Sequence, residues 1–227
     1  MTPEFDPIPL LETLAKHGVE HVVVGGTGGI IHGSPMSTDD VDIVPDLTLS
    51  NLDALADALN EMSAELKSED APEGVLRVEF SGRQLQKWIV EFRFLHLRTK
   101  YGDLDIIHRP GGTNGYQDLA RGAETVELGT FELRVAALED IIRSKQAVAR
   151  ERDLEQLPTL RMILEEKRKS FRPGQQVLVS WEQAELEGRI LETRGFGPRA
   201  QADVRVELPD GSQQILSFPL SSLKALH

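Results

Sequence analysis

Residues 21–46 read HVVVGGTGGIIHGSPMSTDDVDIVPD, and this stretch decides the fold that we expect for the chain. An apolar run at residues 22–24 leads into four glycines, after which comes a gap long enough for a short helix. The stretch ends in DVDIV, which alternates acidic and β-branched residues. Because strand side chains alternate between faces, Asp40 and Asp42 should share one face while Val41 points into a core.

The two aspartates are candidate ligands for a metal ion. Their Cα atoms would lie roughly 7 Å apart at a rise of ~3.3 Å per residue. Two ionised carboxylates at about 5 Å repel each other by on the order of 3 kcal/mol at an effective dielectric of ~20. A divalent cation would turn that repulsion into attraction, and magnesium prefers such oxygen ligands. We therefore hypothesise a cation site at Asp40 and Asp42.

The glycine-rich segment GGTGG completes neither of two common phosphate-binding motifs. A dinucleotide fingerprint that begins at Gly26 has Ile31 where a glycine is required, and a P-loop that begins at Gly28 has Ser34 in place of the lysine. Two interpretations stay open. The glycines form a tight strand-to-helix turn without a ligand, or they let the backbone approach an anion at a helix start. Beside the two aspartates we favour the second.

A hairpin supplies a third carboxylate. Residues 92–97 (FRFLHL) predict a strand, residues 99–102 a turn, and residues 103–107 (DLDII) a second strand. Asp103 and Asp105 share a face of that second strand, so the alternation alone does not choose between them.

The combination of Gly-Gly-Thr after a strand with the later sequence STDDVDI resembles the DNA polymerase beta superfamily of nucleotidyltransferases. Within it, the stretch is most similar to the bacterial abortive-infection and toxin-type group. The resemblance implies an α+β fold in which a mixed sheet is flanked by helices. It also implies that the aspartate pair holds Mg²⁺ (or Mn²⁺) and that the glycine turn holds the triphosphate of a nucleotide.

Two other segments carry the same resemblance. YGDLDII is similar to the second metal-site strand of the group, which gives the role to Asp105 rather than to Asp103. The helical sequence EDIIRSKQAVARERDL is similar to a segment in which a lysine lies beside the nucleotide phosphates, and Lys145 is the match. From its own neighbours, Lys145 is equally well a surface lysine on a helix of mixed charge. The implied site residues are Asp40, Asp42 and Asp105 for metal and catalysis, and Gly25, Gly26, Thr27, Thr38 and Lys145 for the nucleotide.

The chain departs from the family pattern at one position. Related sequences commonly carry an arginine two residues before the threonine that precedes the aspartate pair, whereas Met36 stands here. The change removes a cation that would neutralise phosphate charge.

The resemblance implies transfer of a nucleoside monophosphate from a nucleoside triphosphate to an acceptor. The acceptor would be an RNA end such as that of a tRNA, a protein hydroxyl or a small molecule, and a cognate toxin or antitoxin would be a partner. The alternative is an inactive module of the same fold that acts by binding a protein or a nucleotide.

Composition limits the remaining possibilities. The chain has 227 residues and a formal net charge of −12, and residues 1–138 carry 23 Asp and Glu against 11 Lys and Arg. Such a surface repels phosphate backbones, which argues against general nucleic-acid binding. The absence of cysteine excludes disulfides and thiolate metal sites. Since no apolar run reaches 18 residues, we expect no membrane span and a cytoplasmic protein.

Two domains are predicted, a nucleotidyltransferase-like domain at residues 1–170 and a small β domain at residues 171–227. The second contains short alternating strands at 175–181, 186–193, 202–208 and 213–218, a pattern that resembles an SH3-like barrel. In the first domain, helical periodicity predicts further helices at 7–17, at 50–66 and around 83–88.

Overall fold

The computed structural model describes residues 6–71, 73–169, 171–181, 184–194 and 201–226. The chain divides into two compact units, Met1–Leu157 and Pro158–His227, and each is described by itself. The domain boundary predicted between residues 170 and 171 stays a prediction; residues 170 and 227, at the ends of the two predicted domains, lie outside the described residues.

Eight strands of the first unit form one mixed sheet. They are β1 (His21–Val23), β2 (Asp40–Pro45), β3 (Glu65–Lys67), β4 (Val75–Arg77), β5 (Phe94–Thr99), β6 (Gly102–Ile107), β7 (Glu124–Leu128) and β8 (Phe131–Val135). Their order in the sheet is β4-β3-β5-β6-β2-β1-β8-β7. The pairs β2–β6 and β1–β8 are parallel, and the other neighbours are antiparallel.

In the described residues six helices lie in the first unit, and a seventh, Glu151–Lys169, crosses the boundary at residue 157. They are α1 (Pro7–Lys16), α2 (Gly25–Ile31), α3 (Leu49–Glu61), α4 (Gly82–Phe92), α5 (Tyr116–Ala120), α6 (Leu138–Val148) and α7 (Glu151–Lys169). The start of α1 shows why this sequence is helical there: the Asp6 carboxylate accepts a hydrogen bond from the Ile8 amide, and Pro7 occupies the first position. The predicted α+β fold with a mixed sheet and helices is confirmed.

The main core lies on one face of the sheet. Leucines of α1, α3 and α4 pack in one cluster with the inward-facing residues of the three central strands β2, β6 and β5. The inward-facing strand residues are Val41, Ile43, Leu104, Ile106, Leu95 and Leu97, each at most 2% exposed. Because side chains alternate along a strand, the intervening positions of these three strands face away from this core. The arrangement leaves an open sheet face for the polar residues.

Two helix boundaries differ from those expected from sequence. The helix predicted at 50–66 ends at Glu61, after which Ser63 adopts a left-handed backbone (φ 52°) and β3 begins at Glu65. The short helix expected around 83–88 extends over the whole of α4, because Leu85 and Ile89 bury one face of it in the core. Short polar strands such as β3 carry too little alternation to be read from sequence.

The second unit contains an antiparallel sheet. Its strands are β9 (Gln176–Trp181), β10 (Ala184–Arg194), β11 (Gln201–Glu207), β12 (Gln213–Pro219) and β13 (Lys224–Ala225), in the order β12-β11-β10-β9-β13. The four strands predicted from alternation are confirmed to within two residues at each end. Among the described residues, the edge strands β12 and β13 do not pair with each other. Closure into an SH3-like barrel therefore stays a prediction.

No helix in the described part of the chain is both long enough and apolar enough to cross a membrane.

Candidate active site

The aspartates of β2 and β6 lie next to each other in the sheet. The two strands run parallel, and Asp42 is the direct Cα partner of Asp105, as Asp40 is of Asp103. Their apolar neighbours along each strand are fully buried in the core, so all four carboxylates lie on the opposite, open face. The structure thus places the three predicted metal ligands on one face of the sheet. Asp103 lies on the same face.

The glycine turn contacts these carboxylates closely. The Val24 amide donates to the Asp42 carbonyl oxygen at 3.0 Å, and α2 begins at the next residue. Gly25 has φ +61°, and a Cβ built on it would lie 1.8 Å from Asp42 Oδ2. A Cβ on Gly26 would lie 2.7 Å from Thr38 Oγ1. Only glycines let the turn pass this near to the aspartate strand.

Two threonines connect the turn to β2. The Thr38 hydroxyl donates to Asp40 Oδ1 at 2.7 Å, and Thr38 lines a cleft that also contains Asp40 and Asp42. The Thr27 hydroxyl donates to the Asp40 carbonyl oxygen at 2.8 Å, and the residue is buried. Thr27 is not among the residues that line the cleft. The Thr27 hydroxyl therefore holds the start of β2 in place, and a role in phosphate binding stays a prediction for it.

Negative charge is crowded at the centre of this face. Burial, together with the charges of Asp40 and Asp105, raises the pKa of Asp42 to about 7. A hydrogen bond from the Gly26 amide and the charge of Lys145 act against that rise. A buried carboxylate with two like-charged neighbours is a place where a cation would bind favourably.

His96 is a neighbour of Asp105 that we did not predict. Its Nδ1 lies 2.9 Å from both carboxylate oxygens of Asp105. Burial raises the pKa of Asp105, and the hydrogen bond from His96 opposes that rise. A signal for this pair exists in the sequence: in a hairpin that turns at 99–102, pairing Thr99 with Gly102 places residue 96 opposite residue 105.

Cations from α6, from the start of α7 and from the two residues between these helices line the same cleft as the carboxylates. The Lys145 ammonium group donates to Asp153 Oδ1 at 3.1 Å, and both side chains are about one-tenth exposed. Arg150 and Arg152 line the same cleft. Lys145 is therefore not a solvated surface lysine, and its charge acts on Asp42.

Most of these groups line one cleft of about 350 Å³, whereas Thr27 and Asp103 do not. Most of the predicted site residues line it together, namely Gly25, Gly26, Thr38, Asp40, Asp42, Asp105 and Lys145. The cleft is large enough for a small-molecule ligand.

The donor set fits a divalent ion in its chemistry, since it offers several carboxylates on one face and no sulfur. Within the described ranges, however, no three His, Asp or Glu side chains converge tightly enough to enclose an ion. Asp40 is hydrogen-bonded to Thr38, and Asp105 to His96. Ion binding would require these carboxylates to exchange a protein partner for the metal.

No family model matches the chain, and no curated protein matches it. Several solved structures are similar to it, and two of them are the following. The lincosamide antibiotic adenylyltransferase LnuA, determined with bound lincomycin, is 15% identical with a TM-score of 0.46, over 69% of this chain and 95% of that one. A protein from Thermotoga maritima described as a nucleotidyltransferase is 18% identical with a TM-score of 0.40, over 72% of this chain and 97% of that one. Neither similarity is close enough to assign a family.

Proposed function

We propose that the chain is a metal-dependent nucleotidyltransferase that moves a nucleoside monophosphate from a nucleoside triphosphate to a hydroxyl acceptor. One observation carries the proposal: Asp40, Asp42 and Asp105 share the open sheet face within one cleft, beside a glycine turn that passes against Asp42. The sequence resemblance to the DNA polymerase beta superfamily supports the same assignment.

In this proposal the glycine turn and the cations bind the triphosphate. Gly25 and Gly26 lie at the start of α2 and line the cleft, and glycine backbone at a helix start suits close approach of phosphate oxygens. Lys145, oriented by Asp153, adds a positive charge from the other wall of the cleft. These contacts hold the substrate in place, and such positioning provides much of the catalysis in phosphoryl transfer.

The aspartates serve the metal and the acceptor. Asp40, Asp42 and Asp105 would hold Mg²⁺ or Mn²⁺, which would offset the charge that develops on the leaving pyrophosphate. Asp105 is the carboxylate that would accept the proton of the attacking hydroxyl. Its raised pKa brings it nearer to the range in which a carboxylate acts as a general base.

The acceptor class and the biological role are proposed from the sequence resemblance alone. An RNA end such as that of a tRNA, a protein hydroxyl and a small molecule are the three acceptors to test. A cognate toxin or antitoxin partner is a further hypothesis from the same resemblance.

The direct test is incubation of the protein with α-phosphate-labelled triphosphates, Mg²⁺ or Mn²⁺, and three acceptor pools: total RNA, lysate protein and the small-molecule fraction. We expect label in one pool, no label with a chelator, and a loss of at least 100-fold in Asp42→Asn. Asp57→Asn is the matched control, because Asp57 is exposed on α3. Label that is equal in wild type and Asp42→Asn, or absent from all pools with wild type, would contradict the proposal.

A second candidate is the inactive module that binds without transfer. Two observations favour it. Met36 stands, 36% exposed, where the family pattern has an arginine, and the carboxylates are bonded to protein neighbours instead of converging. The two candidates separate cleanly, since the module would bind a triphosphate or a protein and label no acceptor.

A further inference from the structure

Two aromatic rings line the cleft beyond Asp105. Phe94 and His96 stand on the open face of β5, since the alternate residues Leu95 and Leu97 are buried in the core. Their rings are nearly parallel, with an interplanar angle of 6° and 6.3 Å between centroids. Phe94 is 41% exposed, and the side chain of His96 is 57% exposed. We refer to these two residues as the aromatic wall.

Apolar residues line the cleft together with the aromatic wall, in addition to Asp105, which is hydrogen-bonded to His96. Ile107 is the Cα partner of Phe94 across β5 and β6, and it lines the cleft with Pro110 and Val148. Val148 is 42% exposed. Exposed apolar side chains such as Phe94 and Val148 in a cleft are typical of a ligand-binding surface, and aromatic faces favour a planar partner. The cleft lining therefore combines carboxylates and cations with a smaller set of aromatic and aliphatic side chains.

The order of the strands relates the aromatic wall to the reacting groups. Starting from the glycine turn after β1, the sheet runs through β2 with Asp42, β6 with Asp105 and β5 with the aromatic wall. Neighbouring strands lie about 4.8 Å apart, so β5 is about 10 Å from β2. In an in-line displacement the attacking and leaving oxygens lie on opposite sides of the phosphorus. With the triphosphate at the glycine turn, the acceptor belongs on the side of β6 and β5.

We propose that the aromatic wall binds a planar ring of the acceptor, and that the acceptor is a small molecule with a hydroxyl group on a short arm beside that ring. The inference rests on the proposed nucleotidyl transfer. The acceptor oxygen forms a bond to the α-phosphorus while the bond to the α–β bridging oxygen breaks. Pyrophosphate leaves with that electron pair, and the hydroxyl proton passes to Asp105.

Charge favours a small molecule over an RNA end. An RNA carries one negative charge per nucleotide, and the chain carries a net charge of −12 with four aspartates on this sheet face. The cations that line the cleft are Lys145, Arg150 and Arg152, and Lys145 is assigned to the triphosphate. A ring with a neutral arm avoids this repulsion.

The test uses the whole protein with ¹³C-labelled phenylalanine rings, observed by NMR. Tryptophol, an indole with a two-carbon alcohol arm, is the planar probe, and 2-cyclohexylethanol is its saturated counterpart. We expect tryptophol to shift the Phe94 ring signals, which are identified by their loss in Phe94→Leu, and the saturated alcohol to leave them in place. Phe94→Leu should weaken tryptophol binding about three- to tenfold, in line with the strength of aromatic pairs. Phe92→Leu is the matched control, since Phe92 is exposed outside the cleft lining.

Three results would overturn the inference, and a fourth would overturn the proposed transfer on which it rests. If tryptophol leaves the Phe94 signals unmoved while magnesium and a triphosphate still raise the melting temperature, ring binding at the aromatic wall is refuted and the proposed nucleotidyl transfer is not. If magnesium-ATP shifts the Phe94 signals and displaces tryptophol, the aromatic wall holds the base of the donor. If a short RNA shifts them and tryptophol does not, the acceptor is a nucleic acid. Tryptophol binding without any triphosphate binding would remove the proposed transfer and leave only a ring-binding cleft.

Discussion

The two faces of the six-residue strand β2 differ in polarity and charge. On one face Val41 and Ile43 are fully buried among leucines of the helices. On the other, Asp40 and Asp42 lie against further carboxylates of β6, and burial raises the pKa of Asp42 to about 7. The first face stabilises the fold by removing apolar surface from water. The second costs stability when no cation is present, and such a cost is typical of a functional site.

The largest expected effect is on the core face. Ile43→Ala should lower the free energy of unfolding by about 2–5 kcal/mol, because it removes buried methyl groups and leaves a cavity. Urea denaturation followed by circular dichroism measures the change. Ile8→Ala, at a position 48% exposed, is the control and should change stability by about 0.5 kcal/mol or less. Equal losses in both variants would mean that the face of Val41 and Ile43 is not the core.

The cleft face should respond in the opposite direction. The pKa of Asp42 is raised in the folded state, so between about pH 4 and 7 the folded protein binds more protons than the unfolded chain. Stability therefore falls as the pH rises through that window. In chelator-treated protein at pH 8, the free energy of unfolding of Asp42→Asn should be about 1–3 kcal/mol higher than that of wild type. Near pH 4 the two free energies of unfolding should become equal.

Asp103→Asn is the matched control for that experiment. Asp103 shares the face with Asp42 but forms an ion pair with Lys67, so its removal relieves no uncompensated charge. It should give no gain in stability at pH 8. A gain equal to that of Asp42→Asn would show that general acidity of the face, and not the environment of Asp42, sets the effect.

The smallest effect concerns the ion pair itself. Lys67→Ala removes the partner of Asp103, and both side chains are about one-third exposed. We expect a loss of about 0–1 kcal/mol that shrinks as salt is added, because exposed ion pairs are weak and screened. Urea denaturation at 0.05 M and 1 M NaCl checks this. A loss above about 2 kcal/mol that does not depend on salt would place this pair in the core.

Sequence was informative wherever a pattern is local. Alternation in DVDIV and DLDII predicted which residues face the core, and the turn at 99–102 predicted the β5–β6 hairpin. The sequence predicts that the glycines at 25 and 26 let the backbone turn tightly, and the structure shows that Asp42 and Thr38 occupy the space that side chains would need, while the approach of an anion stays a prediction. Each of these features depends on residues that are close in the chain.

Contacts between residues that are far apart in the chain could not be predicted from the sequence. The parallel register that sets Asp42 beside Asp105 joins segments about 60 residues apart, and no local pattern fixes it. The structure pairs Asp153 of α7 with Lys145 of α6, and residue spacing alone does not show this contact. The burial of Thr27 was also missed, since a hydroxyl gives no sign of whether it faces a ligand or the backbone of a neighbouring strand.

The central claim is that Asp42 belongs to a cation-dependent triphosphate site, and the most direct test is the melting temperature of wild type and Asp42→Asn with and without magnesium and a nucleoside triphosphate. At ligand concentrations about 100-fold above Kd, binding should raise the wild-type Tm by about 5–10 °C. The rise should require both ligands, vanish with a chelator, and fall to less than half in Asp42→Asn because affinity is lost with the metal ligand. An identical ligand-induced rise in the two proteins would contradict the metal role of Asp42 and favour the inactive module.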